Sequence, residues 1–160
     1  MILYHGSNTN IERIDIAKSK PNKDFGKGFY LSADKLQAQQ LAEQRAIFFG
    51  GEPVLNAYNF DESILKSGDL KILLFDSYSS EWAEFVLLNR NNPTKNPAHD
   101  YDIVYGPIAN DKVGVQVELF IDNIIDMPTL IERLKYLHGI TFQYYFGSEA
   151  AIAHLHKISV

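Results

Sequence analysis

Apolar and polar positions alternate in short, irregular stretches along the chain. Ile2-Leu3-Tyr4 is a brief apolar run that ends at His5-Gly6-Ser7 and reads as a strand entering a turn. Residues 8–24 are polar with Ile11, Ile14 and Ile16 as anchors, the pattern of a packed loop. Phe25 to Ser32 places two glycines before a β-prone aromatic run. The pattern then turns helical from Asp34 to Phe49, with Leu36, Gln40, Leu41 and Ile47 set among Ala and Gln. Asp34 is the expected N-cap and Gly50-Gly51 the stop.

Val54 to Phe60 alternates as a half-buried strand does, and Ile72 to Phe75 offers another. Ser79 or Ser80 is placed to cap a helix through Trp82, Phe85, Val86 and Leu87, ending near Arg90-Asn91-Asn92-Pro93. Tyr101 to Tyr105 reads as a strand halted by Gly106-Pro107. Residues 113–121 fit strand or helix, with helix preferred. Pro128 at a first helical position opens a helix through Leu130, Ile131, Leu134 and Leu137, ended by Gly139. Ile140 to Phe146 reads as a strand, and Ser148-Glu149-Ala150-Ala151 starts a terminal helix. Short strands mixed irregularly with helices predict an α+β fold in one domain over residues 1–160, rather than regular βαβ winding.

Composition narrows the chemistry. The chain has no cysteine among its 160 residues, which removes disulfide frameworks, thiolate nucleophiles, thiolate zinc sites and iron–sulfur clusters, and suits a reducing, cytoplasmic setting. The net charge is −5, a poor balance for broad phosphate-backbone binding, although Lys18, Lys20, Lys23 and Lys27 make one locally basic stretch. The N-terminus lacks the form of a signal peptide, and no apolar run is long enough to span a bilayer, so no membrane partner is expected. Phosphate-loop, dinucleotide-glycine, His-Glu-x-x-His and Gly-x-Ser-x-Gly signatures are absent. His154 and His156, placed on a helix, would point about 200° apart and could not share an ion, so no metal is expected. His99 beside Asp100 reads as part of a surface loop.

Three segments taken together point to chemistry: Tyr4-His5-Gly6-Ser7, then Phe25-Gly26-Lys27-Gly28-Phe29-Tyr30-Leu31-Ser32, then Phe142-Gln143-Tyr144-Tyr145. Their order resembles the ADP-ribosyltransferase superfamily, in its diphtheria-toxin-like and poly(ADP-ribose)-polymerase-like branch. The wider layout is similar to small bacterial proteins of that kind, through Glu81-Trp82, Asn89-Arg90 and Tyr101 to Ala109. The resemblance implies a split antiparallel β core with surrounding helices and an NAD⁺ cleft. It implies catalytic roles for His5, Tyr30 and Gln143, and NAD⁺ contacts from His5, Gly6, Ser7, Gly28, Tyr30 and Ser32. His5 would bond a ribose hydroxyl of the adenosine half. Gly6 would grip the nicotinamide carboxamide through its backbone, and Tyr30 would stack on the nicotinamide ring.

The activity so implied is NAD⁺-dependent mono-ADP-ribosyl transfer, with NAD⁺ as substrate, a macromolecular acceptor that is a protein rather than a nucleic acid, and a role as the toxin partnered by an antitoxin protein. An NAD⁺ glycohydrolase, or a non-catalytic nucleotide- or partner-binding module, stands beside it. Taken singly, Tyr30 reads as a core aromatic, His5 as a strand-end histidine, Gln143 as a strand residue facing solvent and Arg90 as a cation balancing a helix dipole. Gln143 stands where the family has Glu. Its oxygen can accept a 2′-OH hydrogen bond, and a carboxylate there would add charge that the amide lacks. Glu149, six residues on, is the second candidate for that role. Ala38 and Leu41 stand where the polymerase-like group has a hydroxyl and a second aromatic, which leaves Phe48 as a candidate to close the nicotinamide site.

Overall fold

The structure is a computed structural model that describes residues 1–109, 111–135 and 139–159. In chain order these form β1 (Ile2–Ser7), β2 (Phe29–Leu31), α1 (Lys35–Phe49), β3 (Val54–Phe60), β4 (Ile72–Leu74), α2 (Ser80–Arg90), β5 (Ile103–Pro107), α3 (Asp111–Ile121), α4 (Met127–Lys135), β6 (Phe142–Phe146), α5 (Glu149–Ile152) and β7 (Leu155–Ile158). The fold is α+β. One sheet has the order β1-β3-β7, all antiparallel. The other has the order β2-β6-β5-β4, antiparallel except for the parallel pair β4–β5. A single bridge joins them: Tyr4 and Ser32 exchange backbone hydrogen bonds of 2.8 Å in both directions.

Apolar side chains fill both sides of the second sheet. Leu3, Leu31, Phe60, Ile103 and Phe146 pack between the sheets. Phe25, Trp82, Val86, Val104, Val113, Val117, Leu130 and Leu134 pack the opposite face beneath α2, α3 and α4. The Trp82 indole N–H donates to the Pro107 carbonyl at 3.0 Å, so the one tryptophan keeps its polar atom satisfied in the core.

The α1 helix starts as its sequence predicts. The Asp34 carboxylate accepts from the Leu36 and Gln37 N–H groups, and Gly50, at φ +77°, ends the helix. Its buried face is made of alanines. Ala38 and Ala42 are buried, whereas Leu36, Ile47 and Phe48 are exposed, the last two by 80% and 78%. The cause is Gly6 on β1. A Cβ there would overlap the Ala38 carbonyl oxygen and lie 2.7 Å from the Ala42 nitrogen, so helix and strand approach at a distance only glycine and alanine permit.

Three expectations change. β5 continues through Gly106 to Pro107, because β4 ends opposite Tyr105 and beyond it β5 pairs with β6 alone, where a strand proline is tolerated. The terminal helix is one turn, capped by Ser148, and the chain then turns into β7 against β3. His154 precedes that strand and His156 lies within it, so helical spacing does not govern them. Among the described residues no cluster of three or more potential ligands forms a metal site. Residues 113–121 are helical, as preferred, within α3. Of the helix expected to run through Leu137, α4 accounts for Met127–Lys135, and Leu137 lies outside the described residues. No described helix is long and apolar enough to cross a membrane.

The Gly6 contact gives a direct test. Gly6→Ala should destabilise the fold by about 3 kcal/mol or more, since the new methyl meets backbone atoms that cannot swing aside. Urea denaturation followed by circular dichroism measures this, and a loss below about 0.5 kcal/mol would show that α1 can move off β1.

Candidate functional site

The end of β1, the turn before β2 and the start of β6 converge beside α1, and the space between them is a cleft with two chambers. The first, of about 610 Å³, is bordered by His5, Tyr30 and Gln143 together with Asp24, Arg90 and Glu118. The second, of about 810 Å³, is bordered by Gly28, Phe29 and Phe48 and by the basic side chains Arg13, Lys18 and Lys20. His5, Lys23, Tyr30, Leu41 and Arg45 border both. Three strands therefore bring His5, Tyr30 and Gln143 to one chamber.

His5 stacks on Phe29 with ring centroids 4.5 Å apart. Its Nδ1 lies 2.7 Å from the Tyr30 carbonyl oxygen. A carbonyl only accepts, so Nδ1 carries the proton and Nε2 is a lone-pair acceptor. Burial lowers the His5 pKa from 6.5 to about 4; the Tyr30 carbonyl opposes this, while the charges of Arg45 and Lys23 add to it. The ring is neutral near pH 7 and its Nε2 has no protein partner among the described residues.

The Tyr30 hydroxyl is fully engaged. It donates to the Gly26 carbonyl at 2.6 Å and accepts from the Phe25 N–H at 3.1 Å. Burial pushes its pKa well above the usual value. The ring meets the edge of Tyr145 and carries the Lys23 ammonium 4.8 Å from its centroid. The Tyr30 hydroxyl thus closes the turn that carries it, while the ring packs against Tyr145 and Lys23.

Gln143 is 9% exposed, and its Nε2 donates to Asp24 Oδ2 at 3.1 Å. A carboxylate only accepts, so the amide nitrogen must face Asp24 and Oε1 is turned away from it. Oε1 has no protein partner among the described residues. Asp24, with a side chain 12% exposed, accepts Arg90 Nε at 2.9 Å on Oδ1 and the Ala109 N–H at 3.1 Å on Oδ2, and Arg90 Nη2 pairs with Oδ1 as an ion at 2.7 Å. Arg90 is therefore more than a helix-end cation: it neutralises the carboxylate that orients Gln143.

The remaining expected residues divide. Gly28 borders the second chamber, and a Cβ there would come within 2.7 Å of the Phe146 carbonyl oxygen, so glycine lets the turn lie against β6. Phe48 borders that chamber too, and Leu41 borders both. Gly6, Ser7 and Ser32 border neither. Gly6 meets α1; Ser7 Oγ bonds Thr9; Ser32 Oγ donates to Gln37 and accepts the Asp34 N–H at the start of α1. Ala38 is buried against Gly6. Glu149 is exposed in the first turn of α5 and borders neither chamber. His99 ties two loops together, since its Nε2 donates to the Phe25 carbonyl and its Nδ1 accepts the Tyr101 N–H.

Residues 1–157 match the family model described as a protein of unknown function (DUF3990), and the chain belongs to that family. No curated protein and no solved structure matches it. Family membership assigns no activity, so any functional reading rests on the residues of the cleft.

Two outcomes follow from these hydrogen bonds. The folded pKa of His5 lies below its unfolded value, so neutral His5 contributes stability that is complete above about pH 6.5 and is lost as pH falls toward about 4. The wild type should lose about 2–3 kcal/mol more over that range than His5→Asn, whose amide can still donate to the Tyr30 carbonyl but cannot ionise. Denaturation of both at pH 7.5 and pH 4.5 measures the difference, and parallel losses would show an already exposed imidazole. Gln143→Glu sets oxygen against Asp24 oxygen, so it should destabilise by about 1–3 kcal/mol at pH 7.5. In an Asp24→Asn background Gln143→Glu should cost much less, and an unchanged cost would mean that Asp24 does not hold residue 143.

Proposed function

We propose that the protein is an NAD⁺-dependent mono-ADP-ribosyltransferase that binds NAD⁺ across the two chambers. The observation that carries this reading is the convergence of His5, Tyr30 and Gln143, from β1, β2 and β6, on one chamber. The same three residues carry the resemblance in the sequence, and nothing in their spacing along the chain requires them to meet. The two-sheet core split at the Tyr4–Ser32 bridge is compatible with the same reading.

On this reading each side chain has one role. Neutral His5 presents Nε2 as an acceptor for a ribose hydroxyl. The Tyr30 ring offers a face to the nicotinamide, whose positive charge is attracted there as the Lys23 ammonium is now. Gln143, held by Asp24, presents Oε1 to the 2′-OH of the nicotinamide ribose, polarising it toward the positive charge that develops as the C1′–N bond breaks. Nicotinamide leaves with the bonding electron pair, and an acceptor nucleophile forms the new bond at C1′ while losing its proton. A neutral amide in this position favours single transfer over chain growth. The acceptor is proposed to be a protein, and the proposed biological role is that of a toxin held by an antitoxin partner; both rest on the sequence resemblance.

Adenine-labelled NAD⁺ incubated with the protein and cell extract should leave label on a macromolecule. Gln143→Ala should lower turnover by about a hundredfold while nicotinamide affinity stays within about twofold, because the lost bond acts mainly in the transition state. His5→Ala should weaken NAD⁺ binding, whereas His154→Ala and His156→Ala should not. NAD⁺ consumption without labelling would make water the acceptor. No consumption and no binding would remove the reading.

A further inference from the structure

The two chambers meet at two cations without a counter-ion. Lys23 and Arg45 border both chambers, and among the described residues neither takes part in an ion pair. The Arg45 Nε is buried and has no hydrogen-bond partner. A guanidinium has only donors, so a buried N–H left unpaired is a cost that an arriving acceptor would remove. The Lys23 ammonium rests over the Tyr30 ring. Burial, and then the charges of Arg45 and Lys20, lower its pKa from 10.5, with Asp24 opposing.

The nearby acids are committed elsewhere. Asp24 is held by Arg90, the Ala109 N–H and Gln143. Glu12 lies 3.7 Å from the Lys157 ammonium, and the Asp15 carboxylate accepts the Ala17 N–H. Glu118 borders the first chamber only, so the positive field is confined to the junction and the second chamber, where Arg13, Lys18 and Lys20 extend it. In the second chamber five basic side chains, Arg13, Lys18, Lys20, Lys23 and Arg45, face two acidic ones, Glu12 and Asp15, so its balance is positive in a chain of net charge −5.

We propose that Lys23 and Arg45 form a phosphoryl-binding site at the junction of the two chambers. Two fixed cations match a phosphoryl dianion, the guanidinium fork offering paired N–H donors and the ammonium a movable point charge. The site stands on its own charges; only the identity of the phosphate's carrier rests on the proposed function. On that reading the carrier is the pyrophosphate that links the halves of NAD⁺, one half in each chamber. Otherwise it is a phosphate of an acceptor.

Calorimetric titration of the full chain with inorganic pyrophosphate, ADP-ribose and nicotinamide tests this. Pyrophosphate should bind the wild type, more weakly as salt rises, and Arg45→Gln or Lys23→Gln should each weaken it about tenfold. Nicotinamide, which has no phosphate, should bind the wild type and Arg45→Gln alike, Lys23 being left out of this comparison because its ammonium lies over the Tyr30 ring. Arg45→Lys keeps the charge but not the fork, so it should lose an intermediate amount; with Lys23→Arg it also keeps the test readable if the neutral variants do not fold. Equal losses for ADP-ribose place the phosphate in the dinucleotide. Pyrophosphate binding without ADP-ribose binding supports the site, assigns it to an acceptor phosphate and defeats the NAD⁺ reading. No pyrophosphate binding by the wild type, or equal binding by wild type and variants, overturns the site even if nicotinamide still binds.

Discussion

The cleft depends on one half-buried carboxylate. Asp24 accepts three hydrogen bonds from three other parts of the chain: one from Arg90 at the end of α2, which also pairs with it as an ion, one from the Ala109 backbone after β5, and one from Gln143 on β6. A carboxylate removed from water is costly unless it is paired and its lone pairs are used, and here both conditions are met. The arrangement also locks a long irregular segment: residues 8–24 have few core anchors, and this bond network fixes their end beside the sheet. Tyr30 then closes the following turn by binding both Phe25 and Gly26 through one hydroxyl. The position of the aromatic ring in the cleft is thus set from both sides by polar groups that have no other partner to choose.

Adjacent residues meet opposite fates. Lys23 and Asp24 are neighbours in sequence, yet Asp24 turns to Arg90 and leaves Lys23 beside Arg45. Had the acid turned the other way, Arg90 would lack its carboxylate and the junction of the chambers would be neutral. Positive potential in the cleft therefore comes less from the number of basic residues than from which of them Asp24 neutralises. The same charges help keep His5 unprotonated, since Arg45 and Lys23 both disfavour an imidazolium there. Acceptor chemistry at His5 and cation chemistry at the junction follow from one distribution of charge.

How legible this was in the sequence depended on the range of the interaction. Local rules served well where the cause is local, as with Asp34 capping α1 and Ser79 capping α2; β3 is the expected strand, but Asn56, Ala57 and Tyr58 are buried in succession rather than alternating. They failed where packing decides. The pattern of α1 marks a helix but not its buried face, which the absent side chain of Gly6 decides by drawing the alanines inward. His154-Leu155-His156 follows a helix cap closely enough to be taken as its continuation, and only pairing with β3 makes it strand. In the cleft, His5, Tyr30 and Gln143 could be picked out by resemblance. Asp24 could not: it sits in a polar loop with no periodicity, and its partners lie from 66 to 119 residues away. An acid embedded in the basic stretch from Lys18 to Lys27 was the one trace it left.

That hidden residue also changes what the amide at position 143 means. From sequence alone, Gln143 reads as a carboxylate that has lost its charge. Beside Asp24, a second carboxylate would face the first across about 3 Å, and the pair would hold a proton between them rather than two charges. Glutamine avoids that conflict: its nitrogen satisfies Asp24 and its oxygen stays an acceptor. The cost is electrostatic, because the nearby negative charge of Asp24 is already matched by Arg90 and gives little net field at a developing cation. On the proposed reading, such a site would orient its substrate firmly and stabilise charge weakly, which would suit one slow transfer to a bound acceptor better than repeated rapid turnover. Replacing Gln143 alone by a stronger anion works against the neighbour that holds it, so the charge at this position and the charge at Asp24 have to be considered as one unit.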